Sequence, residues 1–127
     1  VNKLYDFVEE VPEIALDLIK WAEKPLTLIY PKGIHLAPNV LAEDGSIAIR
    51  ICKQKFCADL IKAVGVPLIA TSANTSGQPS PIAFREIEKE IIEKVDCIAG
   101  EDQHLGTNTA SSILRIDLDG KLKIIRK

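Results

Sequence analysis

Methionine is missing from this 127-residue sequence, and aromatic side chains make up only 5% of it. A core must therefore be built from aliphatic residues, isoleucine above all. Cysteine is scarce: Cys52, Cys57 and Cys97 are odd in number and lack any paired metal spacing. With His35 and His104 as the only histidines, this argues against a structural zinc site and fits thiols kept reduced. Charge of one sign is lacking too. A net charge of −2 argues against a chain built mainly to grip nucleic acid, which needs a basic excess to neutralise phosphates. No apolar run approaches a membrane span and no stretch reads as a signal peptide, so a cytoplasmic location is expected. No P-loop, GxGxxG or Ser/His/Asp order supports a P-loop NTPase, Rossmann or hydrolase reading. The sequence opens on Val1 and runs at once into helical pattern, which reads as a fragment or a processed product.

What is present is the balance of an ordinary globular domain, with 46% hydrophobic and 27% charged residues. The length suits a single domain spanning residues 1–127. The one basic concentration, Lys121, Lys123, Arg126 and Lys127, reads as a solvated strand edge protected by lysines, a reading that outweighs an RNA-binding tail.

Asn2 suits the cap of a short helix through Leu4, Phe7 and Val8. Pro12 suits the first turn of a second, whose face is read as Ile14, Leu18, Trp21 and Ala22. Residues 26–30 read as a buried strand. Residues 46–51 alternate, with Ile47, Ile49 and Ile51 on one face and Ser46, Ala48 and Arg50 on the other. Phe56, Leu60, Ile61 and Val64 form a helical stripe closed by Gly65. Residues 67–71 and 95–99 are read as short strands, and 83–94 as a charged helix with Ile87, Ile91 and Ile92 inward. A hairpin over 111–126 turns at Asp119-Gly120. The expectation is an α/β fold, a twisted mixed sheet with helices packed on it.

The loop Thr71-Ser72-Ala73-Asn74-Thr75-Ser76-Gly77 carries small hydroxyl and amide groups beyond an expected strand end. Ligands gather at such places in open α/β sheets. An anion or nucleotide site and a plain Ser/Asn-rich turn suit it equally. Arg50 either pairs with a carboxylate or meets a ligand anion, and the residues alone favour the pair slightly. Thr27 sits inside an apolar strand, where threonine is often only a good strand former. Ser111-Ser112 opens the hairpin and Arg126 closes it, so they are candidates for proximity across two strands. Glu43-Asp44 suits a turn. Glu101-Asp102 with His104 reads as a solvated loop before a cation site.

Three blocks then carry a resemblance. Pro25-Leu26-Thr27-Leu28-Ile29, Ile47-Ala48-Ile49-Arg50-Ile51 and residues 67–81, with Thr71-Ser72-Ala73-Asn74-Thr75-Ser76-Gly77 at their centre, resemble the YrdC/TsaC family in order and spacing. Ser111-Ser112-Ile113-Leu114 and Ile125-Arg126 resemble its tail. The resemblance implies a nucleotidyltransferase that makes threonylcarbamoyl-AMP and pyrophosphate from L-threonine, bicarbonate and ATP, with Mg2+ on the polyphosphate. It implies downstream proteins that pass the threonylcarbamoyl group to tRNA, so that tRNA is an indirect partner. It places Ser72 and Asn74 in a nucleotide and threonine pocket, Thr27 and Arg50 along the same cavity, and Ser111 and Arg126 near the phosphates. No protein nucleophile and no protein-held metal are implied. The family's N-terminal part, with a Lys-x-Arg motif, has no counterpart in these residues. The chain is thus expected to be a C-terminal two thirds, truncated at its N-terminus and inactive without the rest. The family's Trp-Pro-Gly-Pro-Leu-Thr appears as Trp21-Ala22-Glu23-Lys24-Pro25-Leu26-Thr27. The rival readings are a non-catalytic RNA-binding or accessory module of the same fold and a carbamoyl-transfer relative.

Overall fold

The structure, a computed structural model, describes residues 2–99 and 110–127, and their contacts divide the chain into two compact units. The expected polar loop at 100–109, with Glu101, Asp102 and His104, lies outside the described residues.

The first unit, Val1–Cys57 with Ala110–Lys127, holds a four-stranded sheet. Its strands are β1 (Leu26–Tyr30), β2 (Ile47–Arg50), β3 (Ser112–Ile116) and β4 (Leu122–Arg126), in the order β2-β1-β3-β4. β1 runs parallel to β3, while β2 and β4 lie antiparallel at the edges. The sheet is mixed, as expected. β4 is an exposed edge strand that carries the basic C-terminus, where lysines discourage further pairing.

One face of this sheet holds the core. Leu28 and Tyr30 of β1, Ile47 of β2 and Ile116 of β3 are buried there with Leu4, Val8, Ala15 and Ile19. The last two belong to helix α1 (Glu13–Trp21). A 3-10 turn, Asn2–Asp6, precedes it, tied to the loop after β1 by Ile34 N–H to Phe7 C=O at 2.9 Å.

The inward face of α1 differs in part from the expected one, although Leu18 packs against the core as read. Ala15 and Ile19 are buried, while Ile14 is 36% and Trp21 72% exposed. Both stripes have helical spacing, and the small Ala15 lets the backbone sit close to the sheet, which a stripe led by Ile14 and Trp21 does not allow. Trp21 instead lies under the Lys20 ammonium, 5.0 Å from its ring centre.

The second unit, Ala58–Thr109, contains most of α2 (Lys55–Val64) and helix α3 (Lys89–Lys94). Gly65 ends α2 at φ +83°, the left-handed conformation read for it. The stripe on α2 is only partly covered, with Leu60 and Val64 exposed. The charged helix expected over 83–94 is broken into a 3-10 turn, Phe84–Glu86, and the shorter α3. Residues 67–71 and 95–99 form no strand, because no other described strand supplies a ladder to them, and Leu68, Ile69, Val95 and Ile98 are exposed. Alternating or apolar sequence alone makes no strand: the backbone groups need a partner.

Candidate functional site

The sheet of the first unit turns its second face away from the core, and register decides what that face carries. Thr27 opposes Arg50 on one side and Ile113 on the other, and Ile113 opposes Arg126. Residues opposed on neighbouring strands share a face. Arg50, Thr27, Ile113 and Arg126 therefore form one row across all four strands, with a guanidinium at each end.

Arg126 reaches this face through an irregularity. Leu114 opposes Ile124, and a regular ladder would then place Ile125 opposite Ile113. A register shift between Ile113 and Leu114 puts Arg126 there instead, since an extra residue on one strand flips the side chains beyond it.

Two side chains of the row are bonded to Ser111, the residue just before β3. Thr27 Oγ1 and Ser111 Oγ are 2.8 Å apart. Arg126 donates from Nε and Nη2 to the Ser111 carbonyl at 3.1 and 2.7 Å, and from Nη2 to Ser111 Oγ at 3.3 Å. Ser111 is buried, and Ser112 N–H donates to the Pro25 carbonyl at 2.9 Å, which fixes where β3 enters beside β1. Arginine carries five N–H donors, so both Nη1 protons of Arg126 remain without a partner among the described residues. The two hydroxyls hold two protons between them. One is used in their mutual bond, which leaves the other for a ligand oxygen.

Arg50 is exposed and makes no ion pair or hydrogen bond among the described residues, contrary to the carboxylate pair that its sequence context favoured. Arg115 shares this face by register, opposite Ile29 and Lys123, but its charge is met. It donates to Asp44 Oδ2 at 2.9 Å, and its Nε lies 4.0 Å from Asp117. Hydrogen bonds from Ser46, side chain and backbone, with help from Arg115, pull Asp44 down to about 2. The turn at Glu43-Asp44 was legible. Its tie to Arg115, 71 residues away, was not.

Ser72 and Asn74 belong to the second unit. Ser72 is exposed. Asn74 Nδ2 donates to the carbonyls of Thr75 at 3.1 Å and Gln78 at 2.8 Å, holding a turn in which Gly77 has φ +85°. Its Oδ1 is buried without a partner among the described residues. Thr75 is held in turn by Glu88, which accepts from the Thr75 amide at 2.7 Å and hydroxyl at 3.1 Å. Sequence reasoning passed over Glu88, since a glutamate beside a charged helix gives no local sign of a reach back across 13 residues.

Thr27, Ser111 and Arg126 thus meet directly, with Arg50 in their row, while Ser72 and Asn74 form a second group within the other unit. Among the described residues no group of three or more His, Cys, Asp or Glu side chains is placed to hold a metal ion, and Cys52, Cys57 and Cys97 form no disulfide. No helix among them is long and apolar enough to cross a membrane.

Comparison with known proteins adds the family. The model of the Sua5/YciO/YrdC family, described as telomere recombination, matches residues 1–127. A protein of Methanocaldococcus jannaschii named putative threonylcarbamoyl-AMP synthase is 34% identical over 97% of this chain and 55% of its own length. One of Pyrococcus abyssi named threonylcarbamoyl-AMP synthase is 32% identical over 85% of the chain and 32% of its own length. A solved structure of a P. abyssi Sua5 variant superposes with a TM-score of 0.73 at 29% identity, over 90% of this chain and 33% of that one. The chain spans about half or less of the length of these relatives.

Proposed function

The chain belongs to the Sua5/YciO/YrdC family, and from that premise we propose that it forms the phosphate-binding wall of a threonylcarbamoyl-AMP synthase. The observation that carries the reading is the bonded cluster of Thr27, Ser111 and Arg126, in one row with an unpaired Arg50. Two guanidiniums with unused donors and one uncommitted hydroxyl proton suit a polyphosphate, which offers several anionic oxygens and no donors. A hydrophobic or neutral ligand would leave those charges unmet.

The amine of L-threonine bonds the bicarbonate carbon as water leaves, and an oxygen of the resulting carbamate attacks the α-phosphorus of ATP. A P–O bond forms to the carbamate as the bond to the departing pyrophosphate breaks. Such a transfer asks for alignment and charge neutralisation more than for a protein nucleophile. Arg126 is held rigid by three donations into Ser111, so its Nη1 edge is aimed before any ligand arrives. Magnesium enters as part of the ATP complex, since the polar groups of Thr27, Ser111, Arg50 and Arg126 are hydroxyls and cations, which suit phosphate oxygens rather than a bare metal ion. Within the second unit, the Ser72 and Asn74 turn offers its own hydroxyl and amide groups to nucleotide or threonine. Separate proteins then transfer the threonylcarbamoyl group to tRNA.

The test is pyrophosphate release by the natural polypeptide that carries this sequence. Release that requires ATP, L-threonine and bicarbonate together is the expected result. Release without threonine, or none at all, refutes the reaction.

A further inference from the structure

We propose that Glu88 is a positioning residue, whose carboxylate sets the geometry of the Ser72–Asn74 turn for ligand binding; this rests on the function proposed above.

The turn has little of its own to hold it. Within residues 72–81, among the described residues, the one backbone bond is Gln78 N–H to Thr75 C=O at 3.0 Å, and Ser72, Ser76, Gln78 and Ser80 are exposed. Order comes from two side chains. Asn74 donates both amide protons inward, to Thr75 and Gln78 carbonyls. That fixes the amide orientation, because the reversed one would aim Oδ1 at two carbonyl oxygens. Oδ1 is thereby left as a buried acceptor without a partner among the described residues, a state that costs free energy until a donor reaches it.

Glu88 supplies the second constraint. Its two carboxylate oxygens accept separately from Thr75 N–H at 2.7 Å and Thr75 Oγ1 at 3.1 Å. Charged acceptors make such bonds stronger than neutral ones. Glu88 is also the residue that begins α3: its carbonyl accepts from Ile91 at 3.0 Å and Ile92 at 3.2 Å, while its side chain makes no cap of its own helix. A side chain at this position that would ordinarily serve the helix instead grips the residue next to Asn74. The neighbouring Lys89 is engaged with Glu93 at 3.2 Å and Lys94 with Glu90, so the local lysines leave the Glu88 carboxylate to Thr75. The helix start thus becomes the anchor of the turn. Threonine suits position 75 because its hydroxyl doubles the grip on one carboxylate.

The experiment compares wild type with Glu88→Ala and Glu88→Gln in two measurements, Thr75 amide exchange by NMR and Mg·ATP affinity by calorimetry. Glu88→Ala should speed Thr75 exchange on the order of tenfold or more and weaken ATP roughly tenfold. Glu88→Gln should stay within about threefold in both, because its amide oxygen accepts from Thr75 N–H and its amide nitrogen donates to Thr75 Oγ1. Should Glu88→Ala not fold, Thr75→Val removes the hydroxyl arm alone and should weaken ATP by roughly threefold. Wild-type affinity in Glu88→Ala, with or without a lower melting temperature, makes the residue merely structural and overturns the proposal. So does a glutamine variant as impaired as the alanine one. A wild-type protein that binds no ATP removes the function proposed above, and Thr75 exchange alone then decides whether Glu88 sets the turn.

Discussion

Thr27 comes from β1, Arg126 from β4 and Ser111 from the position just before β3, and each does something its residue type makes possible. Threonine and serine pass one proton between them and keep another, while arginine's fork bonds one carbonyl and retains an unused edge. Lysine at position 126 would keep the charge but offer a point donor in place of the fork. Arg126→Lys should therefore weaken Mg·ATP binding roughly tenfold or more, with little change in the melting temperature, because the exposed strand end carries few packing contacts. Fluorescence or calorimetric titration checks it. That Arg50 points away from Ile47 and Ile49 followed from alternation alone. That Arg50 lacks a carboxylate could not, because the acids that might pair with it are placed by the fold and not by sequence spacing.

The elements show where pattern suffices and where it fails. The hairpin was legible from Asp119-Gly120, and the nearness of Ser111 and Arg126 with it. The bulge that sets Arg126 on the open face was not read, although Lys121-Leu122-Lys123-Ile124-Ile125-Arg126 breaks its alternation at the two adjacent isoleucines. Its consequence is testable. Deleting Ile125 leaves Arg126 opposite Ile113 in an uninterrupted ladder, so ATP affinity should stay within about threefold of wild type. Deleting both Ile124 and Ile125 brings Arg126 opposite Leu114 on the core face and should abolish the contact with Ser111. Equal affinities in the two deletions would refute this account of the register. Helix α1 illustrates a different ambiguity. Two stripes of equal periodicity run along it, and only packing against the sheet selects Ala15 and Ile19 over Ile14 and Trp21. The segments 67–71 and 95–99 show the limit plainly: apolar composition described their side chains, but a strand also requires a neighbour.

At the scale of the whole molecule, stability should respond to pH through two groups. Asp44 is lowered from 3.8 to about 2 by its bonds to Ser46 and Arg115. Its folded form binds protons less readily than the unfolded chain, so its contribution is present above 3.8 and disappears as pH falls through about 2. Tyr30, 1% exposed beneath the sheet, is raised from 10.0 to about 12 by burial and, less strongly, by Tyr5. Its stabilising contribution is full below 10.0 and is lost as pH climbs toward about 12. Urea denaturation across both ranges should show the two declines, with Asp44→Asn flattening the acid one and Tyr30→Phe the alkaline one. Tyr30 lies on the core face, away from the proposed phosphate row, so ATP affinity in Tyr30→Phe should follow the folded fraction and nothing else.

Titration of the natural polypeptide with Mg·ATP by calorimetry, beside its Arg50→Ala and Arg126→Ala variants, bears most directly on the claim that the outward sheet face holds the triphosphate. The account predicts saturable binding that each substitution weakens roughly tenfold or more. Affinity indifferent to both substitutions, or no binding in the unaltered protein, would contradict it.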